Sequence, residues 1–195
     1  AIDNQINNLW ISLTCYINPS PFHLQWANSI WIQLSKDVDY TQVTPDDTYA
    51  DKMLNYRDTI YYKFYDIYQF QLPQQSLYNH DPIYGKTGTP LENALNDDEF
   101  RKYLLMCGMR GNSFFELYYS YTMVDEGDKW YVNSEVLNYI ENRHEVLRNS
   151  QRFGGSPEKG DVYGYSAWSN DKGTIAIRNP SAEAKQYEIK LDREI

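Results

Sequence analysis

Two carboxylates, Asp37 and Asp39, follow a predicted strand near the start of the chain. The strand begins near Ile30 and ends in residues 35–39. In parallel α/β sheets the chemistry collects beyond the carboxyl ends of the strands. A carboxylate at that position can act as a nucleophile or as a general acid or base. The spacing therefore marks Asp37 and Asp39 as candidates for a functional site.

A second polar cluster follows a later strand-like run in the same way. Residues 74–78 are predicted to form a strand, and the cluster lies at its end. The cluster consists of Tyr78, Asn79, His80 and Asp81, followed by Pro82. Its side chains offer hydroxyl, amide, imidazole and carboxylate groups, so the sequence predicts that both clusters lie on one rim of a curved parallel sheet.

The elements that must position Asp37 form a strand, a helix and a second strand. Residues 10–17 are apolar and rich in β-branched side chains, which is typical of a buried strand, and residues 18–21 end it with two prolines. Ser20 is suited to cap a helix whose first position is Pro21. Asn18 after the strand is suited to hold a ligand hydroxyl or, as an Asn before proline, to form a turn.

The middle of the chain repeats this alternation. Residues 51–68 are predicted to form a long amphipathic helix, and a second helix is capped by Asn96 or Asp97 and runs to Gly108. Residues 113–124 are predicted to form a strand whose acid, Glu116, is buried and paired, and residues 133–153 to form another helix. The rhythm is a strand followed by a helix, four times.

The pattern of alternating strands and helices ends at residue 154. Residues 154–160 are typical of a linker, and three short strands are predicted over residues 162–168, 173–178 and 185–191. We therefore divide the chain into an α/β region, residues 1–156, and the start of a C-terminal β-sandwich domain, residues 157–195. Three strands are too few for a stable sandwich, and the chain begins with Ala1, so we expect a piece of a longer protein.

Composition excludes several classes of function. A formal net charge of −9 and a pI near 4.8 leave no basic patch for nucleic acid. No apolar run is long enough to span a membrane, and no signal peptide opens the chain. Cys15 and Cys107 lack a partner at metal-ligand or redox spacing, so both are predicted to be buried thiols, with no metal and no cofactor. Nineteen tyrosines and five tryptophans suit stacking on sugars, although packing explains single rings equally well.

Three stretches carry a family resemblance that covers nearly the whole chain. They are NPSPFHLQWANSIWIQLSKDVDY, the stretch from LNDDEFRKYLLMCGMRGNSFFELYY to IENRHEVLR, and a later strand region with GTIAIRNPS. Their succession resembles the C-terminal half of the catalytic barrel and the start of the β-domain in α-galactosidase-like (melibiase-clan) glycoside hydrolases. The resemblance implies half of a (β/α)8 TIM barrel, strands five to eight, followed by a truncated antiparallel β-domain.

The resemblance also implies a chemistry, the hydrolysis of an α-galactoside or a related α-linked sugar with retention. Two carboxylates about 5–5.5 Å apart do this work in typical retaining enzymes. The family's nucleophile would lie upstream of Ala1, and its acid/base corresponds to Asp37, with Asp39 as the fallback. Lys36 departs from the family's lead-in to that acid. The substrate-binding residues implied or favoured are Asn18, Tyr78, Asn79, His80 and Asp81.

Two functions from different classes stand at this point. The first is a fragment of a retaining α-glycosidase that is inactive alone because it lacks the nucleophile. The second is a non-catalytic carbohydrate-binding or structural module with a degenerate barrel. Half a barrel would expose two sheet edges, so self-association through those edges is also expected.

Overall fold

The computed structural model describes residues 8–14, 20–32, 39–85 and 94–190. Asn18, Cys15 and the predicted acid Asp37 lie outside these ranges. None of the helices within the ranges is long and apolar enough to cross a membrane.

Five short parallel strands form two separate sheets. They are β1 (Ser12–Leu13), β2 (Ser29–Trp31), β3 (Leu77–Tyr78), β4 (Ile83–Tyr84) and β5 (Tyr118–Tyr119). The first sheet has the order β1-β2-β3, and β4 pairs with β5 in the second. Residues 79–82 connect the end of β3 in the first sheet to the start of β4 in the second.

The half (β/α)8 barrel expected from the sequence is wrong for the described residues. Its strands would form one curved sheet, whereas the parallel strands here are two or three residues long and lie in two sheets beside a third, antiparallel one. The predicted helix after Pro21 is a 3-10 helix, Pro21–Gln25, and residues 113–124 contribute only β5 and a short helix. An apolar, aromatic run favours a strand only where neighbouring strands offer a ladder of hydrogen bonds.

The two long predicted helices in the middle of the chain are confirmed. Helix α1 spans Tyr49–Tyr62 and continues as a π-helical turn, Lys63–Ile67. Helix α2 spans Asp97–Met109, and Asn96 caps it as predicted. Each helix begins with a capping box. The side chain of the N-cap residue accepts a hydrogen bond from the backbone N–H three residues later, and the side chain of that later residue accepts one from the backbone N–H of the N-cap residue. Cys107 is buried in α2, as predicted, and burial raises the pKa of its thiol.

Three further helices follow β5. They are α3 (Tyr121–Val124), α4 (Lys129–Glu141) and α5 (His144–Leu147). The single helix predicted over residues 133–153 is therefore wrong, because the chain turns after Glu141 and begins a strand at Gln151.

The last sheet is antiparallel, as predicted. Its strands β6 (Gln151–Gly154), β7 (Tyr163–Ser169) and β8 (Lys172–Arg178) are neighbours in that order. The strand predicted over residues 185–191 is not found in residues 185–190. The expected domain boundary between residues 156 and 157 falls between β6 and β7, which pair with each other.

Two hydrophobic clusters form the core. The smaller one packs Ile30 and Leu77 of the first sheet against Ile60 and Phe64 of the α1 segment. The larger one joins α1, α2 and α4 to the inner face of β7, which contributes Tyr163, Tyr165 and Ala167. The antiparallel sheet thus shares a core with the helices on the other side of the expected boundary.

A buried ionic network crosses that core. The Arg110 side chain is 1% exposed, and its Nε donates to Asp58 Oδ1 at 2.8 Å while its Nη1 donates to Asp81 Oδ2 at 2.7 Å. The hydroxyls of Tyr163 and Tyr165 donate to the two oxygens of Asp58 at 2.6 and 2.7 Å. Since buried charges need partners and hydrogen bonds, Arg110 holds α1, α2, β7 and the end of β3 in one arrangement.

We expect the Arg110→Met substitution to lower the free energy of unfolding by about 3–5 kcal/mol, because it leaves the buried carboxylate of Asp58 without its cation and removes the closer of the two cations beside Asp81. The matched control is Arg101→Met, which breaks the solvent-screened pair of Arg101 with Glu135 at 3.0 Å and should cost far less, because solvent screens an exposed pair. Urea unfolding followed by circular dichroism measures both. Equal losses for the two variants would contradict a special role for the buried network.

Candidate functional site

The candidate site lies at the ends of β2 and β3, beside the start of β5. Trp31 and Tyr78 are register partners at the ends of β2 and β3, and the backbone N–H of Ile32 donates to Tyr78 O at 2.9 Å. The chain then passes through residues 79–82. The backbone N–H of Tyr118 donates to Pro82 O at 3.1 Å, which brings the start of β5 beside this segment.

A close contact between an imidazole and a carboxylate forms the centre of the site. His80 Nδ1 lies 2.5 Å from Glu116 Oε2, and both side chains are partly exposed. The other oxygen, Glu116 Oε1, accepts a hydrogen bond from the hydroxyl of Tyr118 at 3.2 Å. The carboxylate is therefore oriented from both sides while solvent still reaches it.

Aromatic rings surround the imidazole. The His80 ring meets Trp31 edge to face at a centroid distance of 4.3 Å, and it meets Tyr118 in the same manner at 5.1 Å. Trp31 is buried, whereas Tyr118 is exposed. Behind them Tyr78 packs against Phe114 at 5.2 Å. The arrangement fixes the plane of the imidazole and leaves one aromatic ring open to solvent.

The residues on either side of His80 are anchored inside the protein. Asn79 Nδ2 donates to the Tyr61 hydroxyl at 3.0 Å, and that hydroxyl also bonds to the Asn112 side chain. Asp81 is held by Arg110 and lies 3.3 Å from Arg57 Nε. With both neighbours held in buried networks, the segment has little freedom, and His80 is presented to the site by a rigid backbone.

The arrangement can accept and donate hydrogen bonds at a partly exposed surface. The carboxylate of Glu116 is an acceptor for hydroxyl or amine groups. The Tyr118 ring offers a face for an apolar group. A carboxylate and an imidazole in hydrogen-bond contact also have the composition of a general acid and base pair.

The structure separates the residues predicted to bind substrate. His80 belongs to the partly exposed site. Tyr78, Asn79 and Asp81 are buried, and Asn79 and Asp81 are engaged by Tyr61 and by Arg110. Their predicted contact with a substrate stays a prediction.

The predicted acids are placed differently. The fallback acid Asp39 lies in the loop before α1, where its Oδ1 accepts a hydrogen bond from the backbone N–H of Tyr40 at 2.9 Å. Asp37 and Asn18 lie outside the described residues, so their predicted roles stay predictions.

Glu116 and Tyr118 were not predicted as site residues. Glu116 was expected to be buried and paired within a strand; it is paired, but it precedes β5 and is partly exposed. One signal was available, because Glu116 is the acid in an otherwise uncharged and aromatic run, residues 113–124. The pairing with His80 could not be read from the sequence, since the two residues lie 36 positions apart.

Within the described ranges, His, Cys, Asp and Glu side chains form no group of three or more that could hold a metal ion. Comparison of the chain with protein-family models, with characterised proteins and with solved structures found no match.

Tyr61 provides the first test of how the site is supported. We expect Tyr61→Phe to lower the free energy of unfolding by about 1–3 kcal/mol, because it leaves the buried amide of Asn79 and the partly buried amide of Asn112 short of a partner. Tyr62→Phe, at the next position, keeps the ring that lies under Arg152 and should change stability by less than about 0.5 kcal/mol. Urea unfolding of both variants measures the difference, and equal effects would speak against the Tyr61 anchor.

The same hydroxyl predicts a dependence of stability on alkaline pH. Burial raises the pKa of Tyr61 to about 12 and raises the pKa values of Tyr103 and Tyr165 as well. Below pH ~10 each phenol is neutral in both folded and unfolded chains, so stability is constant with respect to it. Above that pH the unfolded chain loses the proton first, and stability falls as pH rises from about 10 to 12. Tyr61→Phe should remove up to about 1.4 kcal/mol per pH unit of that slope, measured by urea unfolding between those limits; an unchanged slope would refute the assignment.

Proposed function

We propose that this chain binds a carbohydrate at the site formed by His80, Glu116 and Tyr118. One observation supports the proposal above all: a partly exposed carboxylate, oriented by His80 at 2.5 Å, lies beside the exposed Tyr118 ring, where the segment after β3 passes the start of β5. A sugar ring has an apolar face and a rim of hydroxyl groups. The Tyr118 ring suits the face, and the Glu116 carboxylate accepts hydrogen bonds from the rim.

The charge of the site favours a neutral ligand. The chain carries a net charge of −9, and Glu116 adds a negative charge at the site itself, so an anionic ligand would meet repulsion. A neutral sugar avoids that cost and still benefits from charge-assisted hydrogen bonds to the carboxylate. The resemblance to the α-galactosidase-like enzymes, which rests on the quoted stretches of sequence, points to α-linked galactose or N-acetylgalactosamine.

A second candidate is the hydrolysis of an α-galactoside. The His80–Glu116 contact favours it, because a carboxylate paired with an imidazole is suited to proton transfer. Retaining hydrolysis needs a further carboxylate about 5–5.5 Å away. Under this second candidate Glu116 supplies one of the two groups.

The test measures the binding of methyl α-galactoside, methyl α-N-acetylgalactosaminide and methyl α-glucoside by NMR titration. We expect Glu116→Gln and Tyr118→Ala each to weaken the binding of the preferred sugar, the first by roughly tenfold or more because it removes a charge-assisted hydrogen bond. Glu141→Gln and Tyr131→Ala on the exposed surface of α4 are the matched controls and should bind as the wild type does.

Two outcomes would decide against the proposal. One is the lack of any titration shift at sugar concentrations on the order of 10 mM, which is ten times a Kd of about 1 mM. The other is the same loss of binding in the controls on α4. Release of nitrophenol from 4-nitrophenyl α-galactoside in the same preparations, abolished by Glu116→Gln, would move the assignment from binding to the second candidate, hydrolysis.

A further inference from the structure

An exposed aromatic patch lies at one end of the first sheet, away from the proposed binding residues in the sequence. The 3-10 helix Pro21–Gln25 and the residues before β1 form it. We name it the β1-edge patch, and it consists of Leu9, Trp10, Ile11, Phe22 and Trp26, which are all exposed. The backbone of Ile11 joins its two segments, since Asn28 N–H donates to Ile11 O at 2.8 Å and Ile11 N–H donates to Asn28 Oδ1 at 2.8 Å.

The patch is uncharged in a strongly charged protein. Residues 4–35 contain no Asp, Glu, Lys or Arg, although such residues make up 23% of the chain and leave a net charge of −9. The centres of protein interfaces are depleted in charged residues and enriched in aromatic ones, which is the composition found here.

The size of the patch matches half of a small interface. The side chains of Trp10, Phe22 and Trp26 are 49, 70 and 68% exposed. Since an aromatic side chain buries about 150–250 Å², these three and the two aliphatic residues leave roughly 500 Å² of apolar surface open. A standard interface takes about 800 Å² from each partner, so a polar rim around this patch completes the area.

The strand beside the patch offers directed contacts in addition to apolar area. β1 is the first strand in the order of its sheet, so among the described residues its outer edge carries backbone groups that no other strand pairs. Such an edge is a template for pairing with another strand. In a two-fold arrangement the edges of two β1 strands would meet antiparallel, and the aromatic patches would cover each other.

We propose that the β1-edge patch is the interface of a two-fold homodimer. Charge complementarity favours a second copy, because the patch has no cation or anion to attract a charged partner and an identical patch has the matching chemistry. The uncharged surfaces meet at the centre, and the acidic remainder of each copy stays at the periphery, where solvent screens it.

Sedimentation velocity on the full chain tests the proposal over loadings from about 1 to 100 µM, which bracket the micromolar range expected of a small interface. We expect the mass to rise from 23.1 kDa toward twice that value and to rise no further. We also expect the dimer to persist or strengthen at 1 M NaCl, because salt screens the repulsion between two acidic copies and weakens no ion pair at the interface.

The double variant Trp10→Ser/Phe22→Ser should be monomeric over the same range. Its control is Trp130→Ser/Tyr131→Ser on α4, where the two side chains are 47 and 70% exposed, close to the values of the patch residues. The control should dimerise as the wild type does. Circular dichroism and urea unfolding establish that both variants are folded.

Several results would overturn the proposal. They are a wild-type chain that stays at 23.1 kDa up to the highest loading, a patch variant that dimerises as the wild type does, a control variant that becomes monomeric, and assembly beyond the dimer. The first would mean that the patch serves another partner, and the last would mean a head-to-tail contact instead of a closed two-fold one.

Discussion

Arg110 is the residue on which the arrangement of the chain depends. Its guanidinium joins Asp58 of α1 to Asp81 at the end of β3, and Tyr163 and Tyr165 of β7 donate to the same Asp58. An isolated charge in this core would be costly to bury, so each member requires the others. The network explains why the antiparallel sheet shares a core with the helices and why the end of β3 is tied to that core.

Three of the tyrosines meet the same constraint on buried polar groups. Tyr61, Tyr163 and Tyr165 are fully buried, and each places its hydroxyl on a polar partner inside the core. A tyrosine fills the volume of a phenylalanine and also satisfies a carboxylate or an amide that water cannot reach. Some of the rings that suggested a sugar-binding surface, such as Tyr61, Tyr163 and Tyr165, therefore serve packing, and Tyr118 is the one that the proposed binding site uses.

The candidate site depends on one partly exposed residue, His80, between two buried ones. Asn79 and Asp81 point into buried networks, so His80 between them is held toward Glu116 by a backbone that both neighbours restrain. A binding site gains affinity when its groups are ordered before the ligand arrives, because less conformational entropy is then lost on binding. One short segment, residues 79–81, thus contributes both to the buried network and to the partly exposed pair of His80 and Glu116.

The sequence alone determined the features that depend on neighbouring residues. The capping box at Asn96, the period of α1 and α2, the β7–β8 hairpin and the polar cluster at residues 79–81 were all predictable, since each arises from local periodicity or turn chemistry. Tertiary structure decided the rest. Three features depend on contacts between distant segments: whether residues 113–124 form a strand, which side of the chain Asp81 faces, and the meeting of Glu116 with His80. A strand needs a neighbouring strand for its hydrogen bonds. A carboxylate pairs with whichever cation the fold brings within reach.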